Sequence, residues 1–565
     1  MNRRNFLSMA AAGAAASNSV AQEISQRTEP SLDFIKKKQG RYAFERWDTG
    51  KRPNVFLITV DMVTPDHWHP QRTMREFVDL PTMRSIGEDG VSFNNCFTTS
   101  PLCAPARAAL ATGRYTYITA NGERAHDGHE AILRPDDVIF QEYLKATGYR
   151  TKHAGKGHLG SQKFIDAFDE NVKAWDRWAP PIQDDEEYLR YLRRLGVKPQ
   201  RYKKEIAGLQ QDRKSSWASW GGWIEQSDGR PFPIEAQYSH FLARRAVDKL
   251  DAALQGNDGD DPIYLQLDIF DPHQPFSIPA GMENREQELR KAFQLQDSYR
   301  RVQDHDWQRF PNEPKIYDLY RKNWGLYNPE TAMDYMVGNA LQLEVVDRAL
   351  RHVIDAIKQR GLYDDAMIIF TADHGEMNSR NALVDKGVYL CPDVVRVPLS
   401  VKPPKSMGIG HHTVEAPVSH LDIAPTLLEL AGVRPMERLD GQSLTPHLKG
   451  TAKPENRELL FECGWHVGVN FACAIQRWAP DGDHWMYTYN CSDEYDELYD
   501  LNSADPRNLA RSPEHREKYV EMVRYMGAFL ERDPRWRGYW HTFRLDRYHE
   551  LPRMDGGDVQ MFKPI

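Results

Sequence analysis

The sequence predicts an α/β protein with a large doubly wound, mixed and mostly parallel sheet sandwiched by helices, followed by a smaller C-terminal α+β domain. Two continuous apolar runs, residues 54–60 and 366–371, are rich in β-branched residues, as is typical of strands buried on both faces. A shorter run of the same kind covers residues 263–267. Helical patterns lie between these runs, over residues 138–147, 235–254 and 331–360. Strands that alternate with helices indicate a doubly wound fold.

The chain divides into four predicted segments. Residues 1–21 are predicted to be a signal peptide, residues 22–50 an extended lead-in, residues 51–450 the large α/β domain, and residues 451–565 the smaller domain and tail. Within the large domain, a charged and Trp-rich stretch at about 177–229 lacks a clear sheet pattern and is interpreted as an insertion. In the smaller domain, strand-like runs at 471–476, 485–489 and 497–501 precede a helix predicted from about 513 to 532.

The N-terminal segment has the outline of a twin-arginine export signal. Arg3 and Arg4 precede an apolar, Ala-rich run to Ala16, and the small residues at 19–21 suit cleavage before Gln22. The apolar run is too short to span a membrane as a helix. We therefore expect a periplasmic or secreted bacterial protein without stable membrane insertion.

Charge and cysteine content exclude two other classes of protein. The formal net charge is −8, and no basic block is present to contact the phosphates of a nucleic acid. The six cysteines are too few for a disulfide scaffold in a chain of 565 residues. One bridge among Cys463, Cys473 and Cys491 is considered, but spacing alone does not reveal pairing.

Polar side chains follow the two longest apolar runs. Asp61 comes directly after the first run, and Asp373 and His374 follow the second. Because ligands of open α/β sheets bind beyond the carboxyl ends of the strands, these three residues are candidates for a common site. A single solvated Asp at the end of a buried strand would mean little, whereas two such ends in one chain favour a site.

Cys103 and Arg107 form a second candidate site in the segment Cys103-Ala104-Pro105-Ala106-Arg107. Pro105 suits the first turn of a helix, the following alanines extend the helix, and Gly113 ends it. Cys103 would then lie at a helix N-terminus, which favours an anion. Arg107, four residues on, would project beside it. The alternative interpretation is an ordinary buried thiol before a helix.

This segment, continued to Thr112-Gly113-Arg114, resembles the C-x-P-x-R…T-G-R signature of type I sulfatases, in the alkaline phosphatase superfamily. Further blocks resemble those of the family in the same order along residues 52–509: Gly148-Tyr149-Arg150-Thr151, Gly155-Lys156-Gly157-His158-Leu159-Gly160, Asp271-Pro272-His273-Gln274-Pro275-Phe276, Thr371-Ala372-Asp373-His374-Gly375-Glu376, Lys386-Gly387, and Leu421-Asp422-Ile423-Ala424-Pro425-Thr426. The resemblance implies that a maturation enzyme oxidises Cys103 to formylglycine, whose hydrate is the nucleophile.

The resemblance also implies roles for the other candidate residues. Asp61, Asp373 and His374, completed by the modified Cys103, would hold one divalent cation; Ca²⁺ is expected, with Mn²⁺ or Zn²⁺ as alternatives. Arg107 would orient the hydrated aldehyde, and Lys156 and Lys386 would bind the sulfate and balance its charge. His158 is implied as the base during sulfate release, and His273 as the donor to the leaving oxygen.

One departure from the family pattern bears on both metal and substrate. The family usually has two adjacent aspartates after the first strand, whereas Met62 follows Asp61 here. Either another oxygen, for which Asp66 is a candidate, takes that place, or the metal has fewer protein ligands. A branch with choline-sulfatase-like and phosphonate-monoester-hydrolase-like members shares the single aspartate.

The resemblance leaves three functions to be weighed. The leading hypothesis is a sulfuric ester hydrolase acting on a sulfated carbohydrate. The alternatives are a phosphonate monoester or phosphodiester hydrolase and a non-catalytic glycan-binding relative.

Overall fold

The computed structural model describes most of the chain between residues 31 and 547. The described residues are 31–37, 40–115, 133, 137–160, 162–169, 179–180, 182–255, 261–435, 438–453, 455–491 and 493–547. The predicted signal peptide, the start of the lead-in and the end of the tail lie outside these residues. No helix among the described residues is both long enough and apolar enough to cross a membrane.

The predicted strands and helices occur in the predicted order, together with further elements that the apolar runs do not predict. The strands are β1 (Ser31–Lys37), β2 (Gly40–Arg46), β3 (Val55–Val60), β4 (Val91–Phe97), β5 (Arg150–Gly155), β6 (Gln200–Leu209), β7 (Ser216–Gln226), β8 (Ile263–Ile269), β9 (Phe276–Ile278), β10 (Met367–Ala372), β11 (Arg396–Lys402), β12 (His412–Val414), β13 (Val418–Ser419), β14 (Val433–Pro435), β15 (Arg457–Trp465), β16 (Val469–Trp478), β17 (His484–Asn490) and β18 (Glu497–Asp500). The helices are α1 (Pro81–Glu88), α2 (Cys103–Thr112), α3 (Phe140–Ala146), α4 (Gln162–Asp166), α5 (Glu186–Arg194), α6 (Tyr238–Leu254), α7 (Glu283–Ala292), α8 (Asp297–Asp304), α9 (Lys315–Trp324), α10 (Pro329–Gln359), α11 (Pro392–Val395), α12 (Ile423–Leu430), α13 (Thr445–Leu448), α14 (Arg516–Arg532) and α15 (Arg537–Asp546).

The central sheet is mixed and mostly parallel, as predicted. Its order is β12-β4-β11-β10-β3-β8-β5, and β13 also pairs with β4. Only β11 is antiparallel to its neighbours, β10 and β4. Every residue of β3, β8 and β10 is buried, which explains why these strands form continuous apolar runs in the sequence. Helices α6 and α10 pack on each other, and α1 packs on β4, β10 and β11.

Register brings the carboxyl ends of four neighbouring strands to one edge of this sheet. Val60 of β3 pairs with Ala372 of β10 on one side and with Ile269 of β8 on the other. Gly155 of β5 pairs with Asp268 of β8. The residues that follow these strands therefore lie side by side, which is where ligands bind in open α/β sheets.

Two segments contain strands that their sequences do not suggest. The predicted insertion, whose sequence lacks a clear sheet pattern, contains an antiparallel hairpin of β6 and β7, and β7 also pairs in parallel with β9. Register shifts at three places in the β6–β7 pair interrupt the alternation that would have indicated strands. In the lead-in, β1 and β2 form a hairpin that continues into β14.

The smaller C-terminal domain contains the three predicted strands and the predicted helix. Its antiparallel sheet has the order β15-β16-β17-β18, of which β15 was not predicted, and α14 covers the predicted helix. All six cysteines are free, so the bridge considered among Cys463, Cys473 and Cys491 is absent.

Candidate active site

Four buried groups meet beyond the carboxyl ends of β3 and β10. Asp61 directly follows β3, Asp373 and His374 directly follow β10, and Cys103 begins α2. One ligand atom from each lies within 4.8 Å of the others. Cys103 Sγ is 3.1 Å from His374 Nε2 and 3.8 Å from Asp61 Oδ1. The structure thus brings together the four residues predicted to surround one cation.

Helix α2 presents Cys103 as the sequence predicts. Leu102 precedes the helix in an extended conformation, and its carbonyl accepts a hydrogen bond from Ala106 N–H at 2.9 Å. Gly113 ends the helix with a left-handed φ of 65°. The alanines at 104, 106, 108, 109 and 111 are buried, and their small side chains let neighbouring elements approach the helix closely. Cys103 therefore lies at a buried, partially positive helix end.

Arg107 connects the start of α2 to the strand ends. Its Nε donates to Asp373 Oδ2 at 2.9 Å, and its two terminal nitrogens lie 3.2 Å from Asp268 Oδ1 and 3.5 Å from Asp61 Oδ2. It also donates to the carbonyl of Lys156 at 3.1 Å. Burial alone would lower the pKa of Arg107, but the three carboxylates raise it, so the guanidinium stays charged.

The ammonium group of Lys156 is a second positively charged side chain, beside Arg107, at this edge of the central sheet. Its Nζ lies 2.5 Å from Asp61 Oδ2 and 5.3 Å from the centre of the Phe270 ring. Burial and Cys103 would raise the pKa of Asp61, but Lys156, His273 and Arg107 together lower it. His158, two residues further on, is buried and has a left-handed φ of 55°.

His273 and Lys386 form a hydrogen-bonded pair, and Asp385 forms an ion pair with Lys386. His273 Nδ1 lies 2.6 Å from the carbonyl oxygen of Gln274, so it is assigned as the donor there. His273 Nε2 then accepts from Lys386 Nζ at 2.5 Å. Burial and then the Lys386 charge lower the pKa of His273. Burial would lower the pKa of Lys386, but Asp385 Oδ1, 3.1 Å away, raises it.

The contacts of Met62 and Asp66 test whether Asp66 takes the place of the missing second aspartate. Met62 contributes a backbone N–H to Asp373 Oδ1 at 3.0 Å. Asp66 is not among the residues of the cluster; its Oδ1 lies 2.8 Å from Arg380 and its Oδ2 3.0 Å from Asn378. Burial would raise the pKa of Asp66, but the charges of Arg380 and Arg72 and the hydrogen bonds of Arg380 and Asn378 lower it to about 2. The hypothesis that Asp66 replaces the second aspartate is wrong, because both its oxygens serve this separate network.

The donor set fits a divalent cation. Two carboxylates and an imidazole converge in a buried space, and hard oxygen ligands suit Ca²⁺. Burial would lower the pKa of His374, but Asp373 and Cys103 raise it to about 9. The site therefore attracts positive charge, and a bound cation would compete with that proton. His374 Nδ1 lies 3.0 Å from the carbonyl oxygen of Gly375, which orients Nε2 towards the cluster.

Two acidic residues that hold the site were not singled out from the sequence. Asp268 pairs with Arg107 and, at 2.8 Å, with His153. Asp385 supports Lys386 from the preceding position. Asp268 lies one position beyond the predicted strand at 263–267, so its place at a strand end was a usable signal. For Asp385, adjacency to Lys386 is the only signal that the sequence carries.

Comparisons with known proteins identify related sequences along most of the chain. A sequence profile described as Sulfatase matches residues 53–433, and one described as N-sulphoglucosamine sulphohydrolase, C-terminal, matches residues 381–532. The chain is 27% identical over 531 residues to an uncharacterised sulfatase, YidJ, of Escherichia coli (strain K12), which covers 90% of this chain and 93% of that protein.

A second relative and a solved structure extend this similarity. The choline-sulfatase of Rhizobium meliloti (strain 1021) is 26% identical over 495 residues, which are 82% of this chain and 83% of the relative. The structure of the phosphonate monoester hydrolase SpPMH from Silicibacter pomeroyi superposes with a TM-score of 0.62 at 20% identity, covering 85% of this chain and 96% of that one. The solved structure supports the fold.

Proposed function

The chain belongs to the sulfatase family and is a sulfatase enzyme, and we propose that it releases inorganic sulfate from a sulfated carbohydrate by means of a formylglycine made from Cys103. The observation that carries the proposal is the convergence of Cys103 with Asp61, Asp373 and His374 at the start of a helix. This arrangement suits a nucleophile that attacks a tetrahedral anion. The chain also has a suitable residue for each of the other catalytic roles, which argues against a non-catalytic relative.

The first step transfers the sulfuryl group to the enzyme. In the hydrated aldehyde at position 103, one hydroxyl oxygen attacks sulfur, and the bond between sulfur and the ester oxygen breaks. Asp61, Asp373 and His374 would hold a divalent cation, which would supply polarisation of a sulfate oxygen and favour ionisation of the attacking hydroxyl. Arg107 fixes the position of the nucleophile through its pairing with Asp373. Lys156 and Lys386 balance negative charge on the transferring group.

The leaving oxygen receives its proton from the pair of His273 and Lys386. The two side chains already share a hydrogen bond, so His273 Nε2, which accepts there, can take a proton from the Lys386 ammonium group and pass it to the leaving oxygen. Asp385 holds that ammonium group in place.

The second step regenerates the aldehyde. His158 removes the proton of the remaining hydroxyl, the carbonyl re-forms, and the bond between carbon and the sulfated oxygen breaks. Inorganic sulfate leaves, and water hydrates the aldehyde for the next turnover.

Export and maturation belong to the same proposal. A formylglycine-generating enzyme would modify Cys103 before the protein leaves the cytoplasm. A twin-arginine signal, which transports folded proteins, would then direct it to the periplasm or the medium. Comparison of the N-terminal residue and formylglycine content of protein recovered from periplasmic and cytoplasmic fractions tests both steps.

A carbohydrate substrate is supported by the lining of a cavity beside Phe270, the residue that contacts Lys156 and His273. The lining includes Tyr202 and Tyr238 together with Gln200 and Gln237. Aromatic and polar side chains together are typical of sugar sites. Met62 favours a second candidate, a phosphonate monoester or phosphodiester hydrolase, because the single aspartate at this strand end also occurs in the phosphonate-monoester-hydrolase-like branch.

The proposal is tested with protein produced alongside a maturation enzyme. Peptide mass spectrometry should find formylglycine at position 103, and sulfate should be released from a panel of sulfated sugars, choline sulfate and an aryl sulfate. An aryl phosphodiester and an aryl phosphonate measure the second candidate. Cys103→Ala should abolish turnover, and Cys103→Ser should retain little. Full activity of Cys103→Ala would overturn the assigned nucleophile.

A further inference from the structure

A cavity of about 520 Å³ lies next to the proposed catalytic groups. Its walls come from residues 179–180 and 182–184 at the start of the insertion, from Gln200 to Tyr202 on β6, and from the start of α6. Phe270, Asp271 and Pro275 after β8 and Ser277 on β9 complete the lining. A volume of this size accommodates a small ligand such as a single sugar ring. Neither the proposed nucleophile nor any proposed metal ligand lines it.

Phe270 joins this cavity to the catalytic groups. Its side chain lines the cavity, and its ring lies 5.3 Å from Lys156 Nζ. The same ring stacks on His273 with 4.9 Å between the ring centres. A sulfate beside Lys156 and a leaving oxygen beside His273 are therefore one aromatic ring away from the cavity. The alcohol part of the substrate can therefore extend from the catalytic groups into this cavity.

Two carboxyl groups, Asp271 and Asp184, and one arginine lie on the cavity wall. Asp271 is only 7% exposed, and the groups that act most on its pKa are burial, a hydrogen bond from Gln342 and the charge of Asp61. No cation among the described residues balances it, and burial raises its pKa to about 7, so the carboxyl group is negatively charged mainly above that pH. Asp184 adds a second carboxylate at the exposed rim. The one arginine of the wall, Arg201, is already paired with Glu225 at 2.6 Å.

We propose that this cavity binds the alcohol part of the ester as a sugar ring, and that Asp271 selects rings presenting a hydroxyl or an amine there and rejects rings carrying a second acidic group. This inference rests on the proposed function. Hydroxyl and ammonium groups donate hydrogen bonds to a carboxylate, whereas a second sulfate or a carboxylate would meet uncompensated like charge. Tyr202 and Tyr238 supply aromatic surface for the apolar face of a sugar ring.

The test compares three phenyl sulfates that carry a positive, a neutral or a negative group on the same meta methylene: aminomethyl, hydroxymethyl and carboxymethyl. Rates are measured above about pH 8, where most of the Asp271 carboxyl, with its pKa of about 7, is ionised. The methylene group keeps the leaving-group acidity similar in all three, so differences in kcat/KM report binding of the substituent. We expect the carboxymethyl ester to react at least about tenfold more slowly than the hydroxymethyl ester, since a like charge in such a site strongly disfavours binding. The aminomethyl ester should react as fast as the hydroxymethyl ester or faster.

Substitutions of single aspartates show which carboxylate causes the difference between the esters. Asp271→Asn, which preserves shape, should bring the carboxymethyl and hydroxymethyl esters within about threefold of each other, because the like charge is removed. Asp184→Asn should reduce, but not remove, the difference in kcat/KM between these two esters. Asp212→Asn changes an exposed carboxylate at the β6–β7 turn, outside the cavity wall, and should leave the wild-type ratio unchanged. If Asp271→Asn does not fold, the wild-type ratio and Asp184→Asn still decide the question.

The outcomes separate the two proposals. If protein with formylglycine at position 103 releases sulfate from none of the three esters, the proposed function is contradicted. If it hydrolyses all three at equal rates, or the carboxymethyl ester fastest, the sulfatase activity stands and the selective role of Asp271 is overturned.

Discussion

Arg107 Nε lies 2.9 Å from Asp373 Oδ2, although the two residues are 266 positions apart in the chain. Arg107 belongs to the helix that begins at Cys103, and Asp373 follows the central strand β10. The contact therefore fixes the proposed nucleophile relative to the proposed metal ligands. Because Arg107 also contacts Asp268 and the carbonyl of Lys156, one guanidinium holds together groups from four segments of the chain.

Arg107→Lys tests whether this planar group is needed. A lysine keeps the charge but cannot reach Asp373, Asp268 and the Lys156 carbonyl at once. We expect kcat to fall by about 10²-fold, as when a single positioned donor is removed from an active site. Arg434→Lys, at an exposed position paired with Glu45, is the control and should keep wild-type activity. Equal kcat for both variants would contradict the positioning role of Arg107.

Metal removal tests the cluster around Cys103 without relying on turnover alone. Dialysis against a chelator should lower both the melting temperature and the activity, and added Ca²⁺ should restore both, because a cation that binds only the folded state stabilises it. Asp61→Asn should weaken Ca²⁺ binding at least about 10²-fold, since even outer-shell changes cost about 10–100-fold. Binding is measured from the rise of melting temperature with Ca²⁺ concentration. Melting curves that Ca²⁺ does not shift would contradict a Ca²⁺ site.

Asp66→Asn is expected to change stability and leave Ca²⁺ binding as in the wild type. The pKa of Asp66 falls from 3.8 to about 2 on folding, which corresponds to about 2 kcal/mol of unfolding free energy. Since the folded-state pKa is depressed, this contribution is complete above about pH 4 and disappears as pH falls towards about 2. Urea unfolding should show the variant less stable at neutral pH and the difference shrinking as the pH approaches the folded-state pKa. A difference independent of pH would contradict this origin.

Local patterns in the sequence predicted the parts of the site that depend on one element at a time. The apolar runs predicted β3 and β10 and so the positions of Asp61 and Asp373, while Pro105 and Gly113 predicted the limits of α2. Contacts between distant segments were not predictable in this way. The pairing of Arg107 with Asp268 depends on strand order, and the separation of Asp66 from the metal site depends on Arg380, which lies 314 positions further along the chain.

Gly155→Ala tests how the strand ends are brought together. Gly155 has a φ of 114°, and a Cβ atom there would lie 1.8 Å from the backbone oxygen of Asp268. The same oxygen accepts the N–H of Lys156 at 3.0 Å, so the added methyl group would push Lys156 away from Asp61. We expect a loss of at least about 3 kcal/mol in unfolding free energy, from overpacking added to backbone strain.

Gly408→Ala separates strain from steric overlap. Gly408 also has a positive φ, of 64°, but no atom lies within 4 Å of the position that an added Cβ would take. This variant should lose about 1–2 kcal/mol, the cost of the left-handed conformation alone, and its activity should be unchanged. For Gly155→Ala, kcat should fall even at temperatures where the variant is fully folded, because Lys156 is displaced. If the two variants lose equal stability and both keep wild-type kcat, close packing of β5 on β8 does not position Lys156.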